Sequence, residues 1–330
     1  MEMREILNHL FEHKTLSRAE AREILTSIAQ GKYSDSEIAA FLTIFLMRSI
    51  TVEELSGFRD ALLELCVKVD LSDFDTIDLC GTGGDGKDTI NISTLTTFVV
   101  AGAGAKVSKH GNYGVSSGCG SSNIMEQLGY KFTTDNDRLK REIDQTGVCY
   151  MHAPIFNPAM KNVAPVRKVL RVKTFFNLLG PMVNPSFPKK QFVGVYSLEV
   201  GRLYNYLFQL DNKRYIIVHS LDGYDEISLT GNFKLLSGTA DQILSPEDIG
   251  LKRVKPEEIK SANSIPEAAK NFTDILEGKG TEAQTNVVLA NSAMALHCYY
   301  PGKNIEDCME MAKDSIMSKK AIGVLRKLIG

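Results

Sequence analysis

The sequence predicts an α/β protein with a small helical domain at the amino terminus and a larger domain built on a mostly parallel sheet. Two observations predict this class. Helix-start signals crowd the chain up to about residue 70, and a strand, a glycine-rich loop, a helix and a second strand then follow in order. That order is typical of a right-handed crossover between parallel strands. The 330 residues suffice for one large domain or two unequal ones.

The amino-terminal helices are predicted by capping boxes, in which a serine or threonine and a following glutamate satisfy backbone donors at a helix start. The helix after the second box is apolar over most of its circumference, which indicates burial on several sides. It forms either the core of a small bundle or, on one exposed face, a dimer contact. The boxes are Ser17 with Glu20, Ser34 with Glu37, and Thr51 with Glu54.

The second domain is predicted to alternate short apolar strands with helices. Its first crossover comprises a strand at 76–80, a helix at about 93–103 and a strand at 106–109. The expected later elements are strands at 191–196 and 214–219, a polar strand near 226–230, and final helices at about 281–299 and 304–328 that cover the sheet.

Charge and composition exclude several classes of protein. The chain has 38 Lys+Arg against 40 Asp+Glu, a formal net charge of −2, so it lacks the basic excess of a protein that binds nucleic acid through bulk charge. Its densest apolar run, residues 39–47, is far shorter than the ~18 residues of a membrane-spanning helix. Six cysteines without a CxxC pair predict neither zinc nor disulfides and indicate a reducing, cytoplasmic compartment.

The first glycine cluster fits the G-x-G-x-x-G pattern at Gly81, Gly83 and Gly86, but its surroundings do not fit a nicotinamide site. The predicted helix begins only after Asn91, and the second strand carries Lys109 instead of an acidic residue. The nucleoside-triphosphate P-loop pattern is also absent. Small residues beside a helix amino end predict a loop whose backbone N–H groups bind an anion. The alternative is a glycine turn needed only for close packing.

A second cluster, residues 109–122, follows the second strand at the edge of the sheet where open α/β folds bind ligands. Its lysine, hydroxyls and backbone donors predict a second anion site. His110 is either a general base or a histidine that orders the loop.

A third cluster, residues 222–226, places carboxylates directly after a predicted strand. Adjacent carboxylates are costly unless they are solvated or share a cation, and oxygen ligands without His or Cys suit Mg²⁺ together with a substrate phosphate. A plain acidic turn is the alternative. Asp85 inside the anion loop fits a ligand that is polyanionic and rich in ribose hydroxyls, or a metal ion.

These clusters belong to a series of motifs that covers almost the whole chain. The motifs are GTGGD at 81–85, NIST at 91–94, KHGN at 109–112, NPAMK at 157–161, VAPVR at 163–167, TFFNLLGP at 174–181 and DGYDE at 222–226. Together and in this order they are far more specific than any one alone. The chain resembles the anthranilate phosphoribosyltransferase family of tryptophan biosynthesis.

The resemblance implies a phosphoribosyltransferase-like fold, similar to nucleoside phosphorylases. It implies a helical domain at 1–72 with a returning segment at about 163–188, an α/β domain at 73–162 and 189–330, and a cleft between them for substrates. The implied reaction joins the amine of anthranilate to 5-phosphoribosyl 1-pyrophosphate, which gives N-(5-phosphoribosyl)anthranilate and pyrophosphate. Mg²⁺ is the implied cofactor, with two ions. The implied assembly is a cytoplasmic homodimer joined through the helical domains, with no nucleic-acid or membrane partner.

The resemblance also implies site residues. No side chain is assigned as an acid or base, and Lys109 and His110 act electrostatically. The metal residues are Ser93, Asp225 and Glu226. The anthranilate residues are Gly81, Asn112 and Arg167. The phosphoribosyl pyrophosphate residues are Gly81, Gly84, Asp85, Thr89, Asn91, Ile92, Ser93, Thr94, Lys109, His110, Gly111, Asn112, Tyr113, Gly114, Val115, Ser116, Ser117 and Ser121.

The chain departs from the family pattern in these motifs. Tyr113 stands where the family usually has an arginine, Ser122 and Asn123 replace an alanine and an aspartate, and Asn157 replaces a histidine. Losing the arginine removes a bidentate cationic donor near the phosphoribose, which predicts weaker binding of that substrate.

Two other functions fit parts of the sequence. A pyrimidine nucleoside phosphorylase-like enzyme has a similar architecture, but its SGRG and HTGGT motifs are missing, and phosphorolysis of thymidine or uridine would reveal it. A non-catalytic paralogue that binds nucleic acid predicts a basic face and eroded metal carboxylates. The charge of −2 and the retained Asp225 and Glu226 disfavour it, and a salt-dependent DNA titration would test it.

Overall fold

The computed structural model describes residues 2–114 and 118–330. The chain divides into two compact units. The helical unit comprises the residues up to Lys68 and the segment Ala153–Phe187, and the α/β unit comprises Val69–His152 and Pro188–Gly330. The returning segment therefore begins earlier than the predicted residue 163. Its first turn belongs to the helical unit because the carbonyl of Phe156 accepts a hydrogen bond from the Val67 N–H at 2.8 Å.

The helices and strands follow one another in the order that the periodicity predicts, with several short additions. The strands are β1 (Thr76–Gly81), β2 (Lys106–Gly111), β3 (Val148–His152), β4 (Lys190–Gly194), β5 (Arg214–Ser220), β6 (Phe233–Ser237) and β7 (Asp241–Leu244). The helices are α1 (Met3–Phe11), α2 (Arg18–Ala29), α3 (Asp35–Met47), α4 (Val52–Leu65), α5 (Ile92–Gly102), α6 (Ser121–Gln127), α7 (Asn136–Thr146), α8 (Ala153–Phe156), α9 (Ala164–Leu170), α10 (Phe176–Leu179), α11 (Leu198–Leu210), α12 (Ile265–Leu276), α13 (Glu282–Tyr299), α14 (Ile305–Met317) and α15 (Lys320–Ile329).

The helical unit is built around α3 and an aromatic cluster. All three predicted capping boxes are present at the starts of α2, α3 and α4. Phe41 and Phe58 are fully buried, and the Phe58 ring stacks on Phe175 with centroids 4.4 Å apart. Phe175 comes from the returning segment, so this core joins two distant stretches of the chain. Burial of α3 confirms its prediction as core, while its predicted dimer contact stays a prediction.

The α/β unit contains a seven-stranded sheet in the order β3-β2-β1-β4-β5-β6-β7 within the described residues. The first five strands of this order, from β3 at the edge to β5, pair in parallel. Strand β6 pairs antiparallel with β5, and β7 pairs antiparallel with β6. This confirms the predicted mostly parallel sheet. The strand order reverses between β1 and β4, because β2 and β3 follow β1 on one side and β5 follows β4 on the other. Open α/β sheets bind ligands at the carboxyl ends of the strands next to such a reversal, and β1 lies there.

The predicted polar strand near 226–230 is wrong. The residues there form turns, and the antiparallel strand is β6. The reason is that the backbone at this place bonds to side chains: the amide of Asn291 donates to the Ile227 carbonyl at 2.8 Å, and its carbonyl oxygen accepts from the Ile227 N–H at 3.1 Å. These contacts take the place of a strand ladder.

The single final helix predicted at 304–328 is also wrong, because the structure has two helices, α14 and α15. They are separated at Lys319, whose φ of 65° is left-handed and cannot continue a helix. Its ammonium donates to the carbonyl of Glu277.

The six cysteines are all free and buried. Among the helices in the described ranges, none combines the length and the apolar character that a bilayer crossing needs.

Candidate active site

Three segments that carry predicted site residues belong to one edge of the sheet. The glycine loop (residues 81–91) follows β1, the second loop (residues 111–121) follows β2, and the acidic turn (residues 222–226) follows β5. Because these strands run parallel within one sheet, their carboxyl ends lie at the same edge.

The glycine loop is held by the carboxylates of the acidic turn. The Gly83 N–H donates to Asp225 Oδ2 at 2.6 Å, and the Ser93 N–H donates to Glu226 Oε1 at 2.8 Å. The approach is so close that a Cβ atom at Gly81 would lie 2.4 Å from Asp225 Oδ2. One at Gly194 on β4 would lie 1.4 Å from the carbonyl oxygen of Asp225. Glycine is therefore required at both positions.

The glycine loop also presents unused hydrogen-bond donors. The N–H groups of Gly84, Asp85 and Gly86 have no acceptor among the residues that the structure describes. Gly84 and Gly86 have φ of 76° and 73°, which lets the chain turn its amides outward. The hydroxyl of Thr94 is buried without a hydrogen-bond partner. Thr94 is buried, and a buried polar group normally has a partner, so its hydroxyl indicates a polar ligand. The loop amides belong to half-buried or exposed residues and are donors that such a ligand can reach.

The remaining residues of the first predicted set have structural contacts. The side-chain amide of Asn91 donates to the Cys119 carbonyl of the second loop at 2.9 Å. Thr89 forms a β-bridge with Lys260, and the Ile90 N–H donates to the Ile259 carbonyl at 3.0 Å. Ile92 is buried in the core, and its N–H donates to the carbonyl of Ile90. The stretch around residue 260, which the sequence left without a role, thus supports the glycine loop.

Negative charge accumulates where the glycine loop meets the acidic turn. Burial raises the pKa of Asp225 well above its usual range, and the charges of Glu226 and Asp85 add to this rise. Burial and the charge of Asp85 raise the pKa of Glu226 to about 7, against the lowering effect of the Ser93 N–H and of Lys109. Desolvation and mutual repulsion destabilise the ionised form of these carboxylates, and a bound cation would offset both effects.

Lys109 is a buried cation beneath this cluster. Only 1% of its surface is exposed, and its ammonium donates to the Leu79 carbonyl at 2.6 Å and to Ser93 Oγ at 3.4 Å. Burial lowers its pKa, while the neighbouring Cys80, Asp78 and Glu226 raise it. It therefore holds Ser93 and offsets part of the carboxylate charge. His110 beside it is buried, and its N–H lies 3.4 Å from Asp78 Oδ1.

The second loop is fixed on the first turn of α6. Asn123 Oδ1 accepts from the Gly114 N–H at 3.1 Å and from the Gly120 N–H at 2.9 Å. The Asn112 carbonyl accepts from the Ser122 N–H at 3.0 Å and from the Ser121 hydroxyl at 3.2 Å. Val115, Ser116 and Ser117, which the sequence assigns to the same site, lie outside the described residues.

The hydroxyl of Tyr113 contacts a side chain of α6. It lies 3.3 Å from both oxygens of Glu126, and the tyrosine ring packs edge-on to His152 with centroids 4.7 Å apart. Tyr113 is thus a neutral residue held by a carboxylate, in the position where the family pattern expects a cation.

Sequence reasoning missed three residues at this edge. Asp88 has a left-handed φ of 49°, and its Oδ1 accepts from the Gly118 N–H at 3.3 Å, which joins the two loops. Asn123 joins the ends of the second loop, as described above. Lys87 lies beside the acidic turn, with its ammonium 4.6 Å from the centroid of the Tyr224 ring. Position beside the motifs was the only sequence signal for Asp88 and Lys87, and Asn123 stood out only as a departure from the family pattern.

Arg167, on α9 of the helical unit, lacks an ion-pair partner among the described residues. Its Nη2 donates to Asn177 Oδ1 at 3.3 Å, and its guanidinium lies 5.5 Å from the centroid of the Phe176 ring. Burial lowers its pKa. A half-buried guanidinium with only neutral partners is well suited to bind an anionic ligand.

Comparison with known proteins shows the class and the family of this chain. Residues 4–66 match the helical bundle domain of a glycosyl transferase family, and residues 73–322 match the a/b domain of such a family. Fold and site define a two-domain glycosyltransferase. The chain is 58% identical over 326 residues to an anthranilate phosphoribosyltransferase from Flavobacterium psychrophilum, a match that covers 99% of this chain and 98% of the relative. The chain belongs to the anthranilate phosphoribosyltransferase family, and its activity is phosphoribosyl transfer to anthranilate.

Solved structures share this fold. The crystal structure of an anthranilate phosphoribosyltransferase from Thermus thermophilus matches with a TM-score of 0.92 at 29% identity, covering 100% of this chain and 98% of that one. A variant of the Saccharomyces cerevisiae enzyme, solved with Mg bound, matches with a TM-score of 0.85 at 25% identity, covering 95% and 92%.

Proposed function

We propose that the chain performs this transfer with phosphoribosyl pyrophosphate bound by the glycine loop and the second loop. The observation that carries the proposal is the set of unused N–H groups at residues 84–86, held beside the carboxylates of Asp225 and Glu226. The product is N-(5-phosphoribosyl)anthranilate, and the role is a step of tryptophan biosynthesis.

The chemistry needs a stabilised leaving group more than a base. The amine of anthranilate is neutral near pH 7 and already has its lone pair, so no side chain has to remove a proton before attack. The demanding part is the departure of pyrophosphate while positive charge grows on the ribose. Preorganised N–H groups of the glycine loop and the fixed charge of Lys109 supply that stabilisation.

The donor set fits Mg²⁺. Asp225 is a buried carboxylate and Glu226 a half-buried one, and both have raised pKa values. The Ser93 N–H donates to Glu226, and Ser93 Oγ accepts from the Lys109 ammonium at 3.4 Å. Within the ranges that the structure describes, no three His, Cys, Asp or Glu side chains converge as a ready-made metal site. This agrees with Mg²⁺, which usually takes one or two carboxylates and completes its shell with substrate phosphate and water. When bound, the ions neutralise phosphate charge; we propose two of them at Ser93, Asp225 and Glu226.

Arg167 is the proposed anthranilate residue. A charge-assisted hydrogen bond from its guanidinium to the substrate carboxylate would orient the amine. Among the described residues, the guanidinium donates a hydrogen bond only to the neutral Asn177, so the cation is available. Asn112 and Gly81 complete the proposed set.

The test of the proposed function uses the fluorescence of anthranilate. Incubation with phosphoribosyl pyrophosphate should consume the fluorescence only when protein and Mg²⁺ are both present. Fluorescence that persists with all components present would contradict the proposal. Chelation by EDTA should stop the reaction, and added Mg²⁺ should restore it.

Replacing Arg167 tests the anthranilate site separately. We expect Arg167→Ala to raise the KM for anthranilate at least ~10-fold, because a hydrogen bond to a charged group contributes ~1.5–3 kcal/mol. The KM for phosphoribosyl pyrophosphate should change less than about twofold in the same steady-state assays. Lys168→Ala, next to it on an exposed position, is the control. Equal increases for both substrates would remove Arg167 from this role.

We also propose a cytoplasmic homodimer joined through the helical unit. This unit exposes large apolar side chains on α3 and α9, with Met47 84% and Val169 82% exposed. Such exposure is typical of a surface that another copy covers. Light scattering should give twice the 36.4 kDa chain mass, and a monomer that persists at micromolar concentration would contradict the proposal.

A further inference from the structure

The glycine loop contains a single cation, Lys87, which takes no part in the contacts that hold the loop to Asp225 and Glu226. Pyrophosphate is strongly anionic, yet the other predicted donors supply little accessible charge. Lys109 is buried and already donates to Leu79 and Ser93. Tyr113 is neutral, and its hydroxyl contacts Glu126. Lys87 is therefore the exposed cation next to the unused N–H groups of residues 84–86.

The backbone places Lys87 at the tip of the loop. Gly86 before it and Asp88 after it both have left-handed φ values, 73° and 49°. The Lys87 N–H donates to Asp85 Oδ1 at 3.1 Å, which fixes the direction of the chain at this point. The lysine therefore leaves the loop from a defined position, directly after the unused donors.

The side chain of Lys87 runs over the acidic turn. A Cβ atom at Gly223 would lie 3.6 Å from Lys87 Cε, and the ammonium lies 4.6 Å from the centroid of the Tyr224 ring. Tyr224 immediately precedes the proposed metal ligands Asp225 and Glu226. The ammonium thus lies over the segment that holds both the glycine loop and the proposed metal.

The contact with Tyr224 is weak enough to exchange. In the described part of the chain, Lys87 forms no ion pair, and a cation–π contact at an exposed site is weak. A charge-assisted hydrogen bond to a phosphate oxygen is stronger. The flexible lysine stem can redirect the ammonium without moving the backbone.

We propose that Lys87 binds the diphosphate of the donor substrate, its ammonium moving from the Tyr224 ring to a diphosphate oxygen. The inference rests on the proposed function, because it places that diphosphate in the glycine loop. It assigns an accessible cation to a site that otherwise relies on backbone donors, buried Lys109 and metal.

The test compares Lys87→Met and Lys87→Arg with Lys303→Met. Lys303 is an exposed lysine that follows α13, and the end of α13 contacts Arg214 at the start of β5, so this control belongs to the opposite edge of the sheet. Binding of inorganic pyrophosphate with Mg²⁺ is measured by calorimetry, and KM values by the anthranilate assay. Because binding is measured without turnover, the two proposals can fail separately.

We expect Lys87→Met to raise the pyrophosphate Kd and the KM for phosphoribosyl pyrophosphate each about tenfold. The KM for anthranilate should stay within about twofold, and Lys87→Arg and Lys303→Met should resemble the wild type. Pyrophosphate binding by Lys87→Met equal to that of Lys303→Met would overturn the inference. Equal increases in both KM values would also overturn it, because they indicate a residue that only supports the loop. A wild type that binds pyrophosphate but leaves anthranilate fluorescence unchanged would contradict the proposed function instead.

Discussion

The glycine loop and the second loop follow neighbouring parallel strands but are held by different chemistry. Ionisable carboxylates hold the glycine loop: Asp225 accepts from the Gly83 N–H, and Glu226 accepts from the Ser93 N–H. A neutral amide holds the ends of the second loop, since Asn123 Oδ1 accepts from both Gly114 and Gly120. The backbone near the proposed anion site is thus fixed by charged groups in the glycine loop and by a neutral amide in the second loop.

This difference means that the two loops should respond to different conditions. The partners of the glycine loop have raised pKa values and are proposed to bind Mg²⁺, so pH and metal act on this loop. The amide of Asn123 does not titrate, so the second loop should depend on packing alone. The following predictions either sharpen this contrast or break it.

The largest effect should come from neutralising the acidic turn. We expect Asp225→Asn combined with Glu226→Gln to lower kcat at saturating Mg²⁺ at least ~100-fold, because the oxygens proposed to bind the metal lose their charge. The amide oxygens can still accept from Gly83 and Ser93, so the circular dichroism spectrum should not change. Full Mg²⁺-dependent turnover by the double variant would refute the metal assignment.

The second-largest effect should be a pH dependence of the free energy of unfolding, caused by Glu226 in the metal-free protein. Its pKa is raised to about 7 in the folded protein, so the folded state binds the proton more tightly than the unfolded chain. Stability from this group is present below its ordinary pKa and is lost as the pH rises through about 7. We expect a loss on the order of 2 kcal/mol in EDTA between pH 5 and 8, measured by urea unfolding.

Two controls define that measurement. Glu226→Gln should flatten the dependence of the free energy of unfolding on pH in this range. Glu310→Gln, at an exposed site on α14, should leave the slope unchanged. A wild-type slope of zero or of opposite sign would show that repulsion and burial do not act on Glu226 as described.

The smallest effect should come from the second loop. We expect Asn123→Leu to raise the KM for phosphoribosyl pyrophosphate about tenfold, because two N–H groups lose their acceptor at ~1 kcal/mol each and the loop shifts. Asn123→Asp keeps the acceptor and should remain within about threefold of wild type. Neither variant should alter the Mg²⁺ concentration for half-maximal activity. A changed Mg²⁺ requirement in Asn123→Leu would break the contrast between the loops.

Local signals predicted the fold well where chain neighbours determine the structure. Ser17, Ser34 and Thr51 bond to glutamates three residues away, so each helix start could be read directly. The strand predicted near 226–230 was wrong because its backbone bonds to Asn291, far along the chain. The start of the returning segment was also misplaced, since it depends on a contact between Val67 and Phe156.

The candidate site shows the same division. Gly81 and Asp225 were predicted as site residues because their residue types and motifs carry chemistry. Gly194 was missed, because a glycine on a buried strand gives no signal until the Asp225 carbonyl is seen against it. Asp88 and Asn123 were missed as site residues because they accept hydrogen bonds from residues that are not their chain neighbours. Asp88 accepts from the Gly118 N–H, and Asn123 accepts from the Gly114 N–H.

The stacking of Phe58 on Phe175 has a consequence for biosynthesis of the protein. A ribosome releases the first four helices long before Phe175 emerges, so their core stays incomplete while β1, β2 and β3 are made. The sheet around those strands also remains incomplete until β4 is made, because β4 pairs with β1 and follows Phe175 in the chain. The helical unit is therefore complete only after the first three strands of the α/β unit have been synthesised. Apolar surface on the nascent helices therefore stays exposed during synthesis, which favours protection by chaperones.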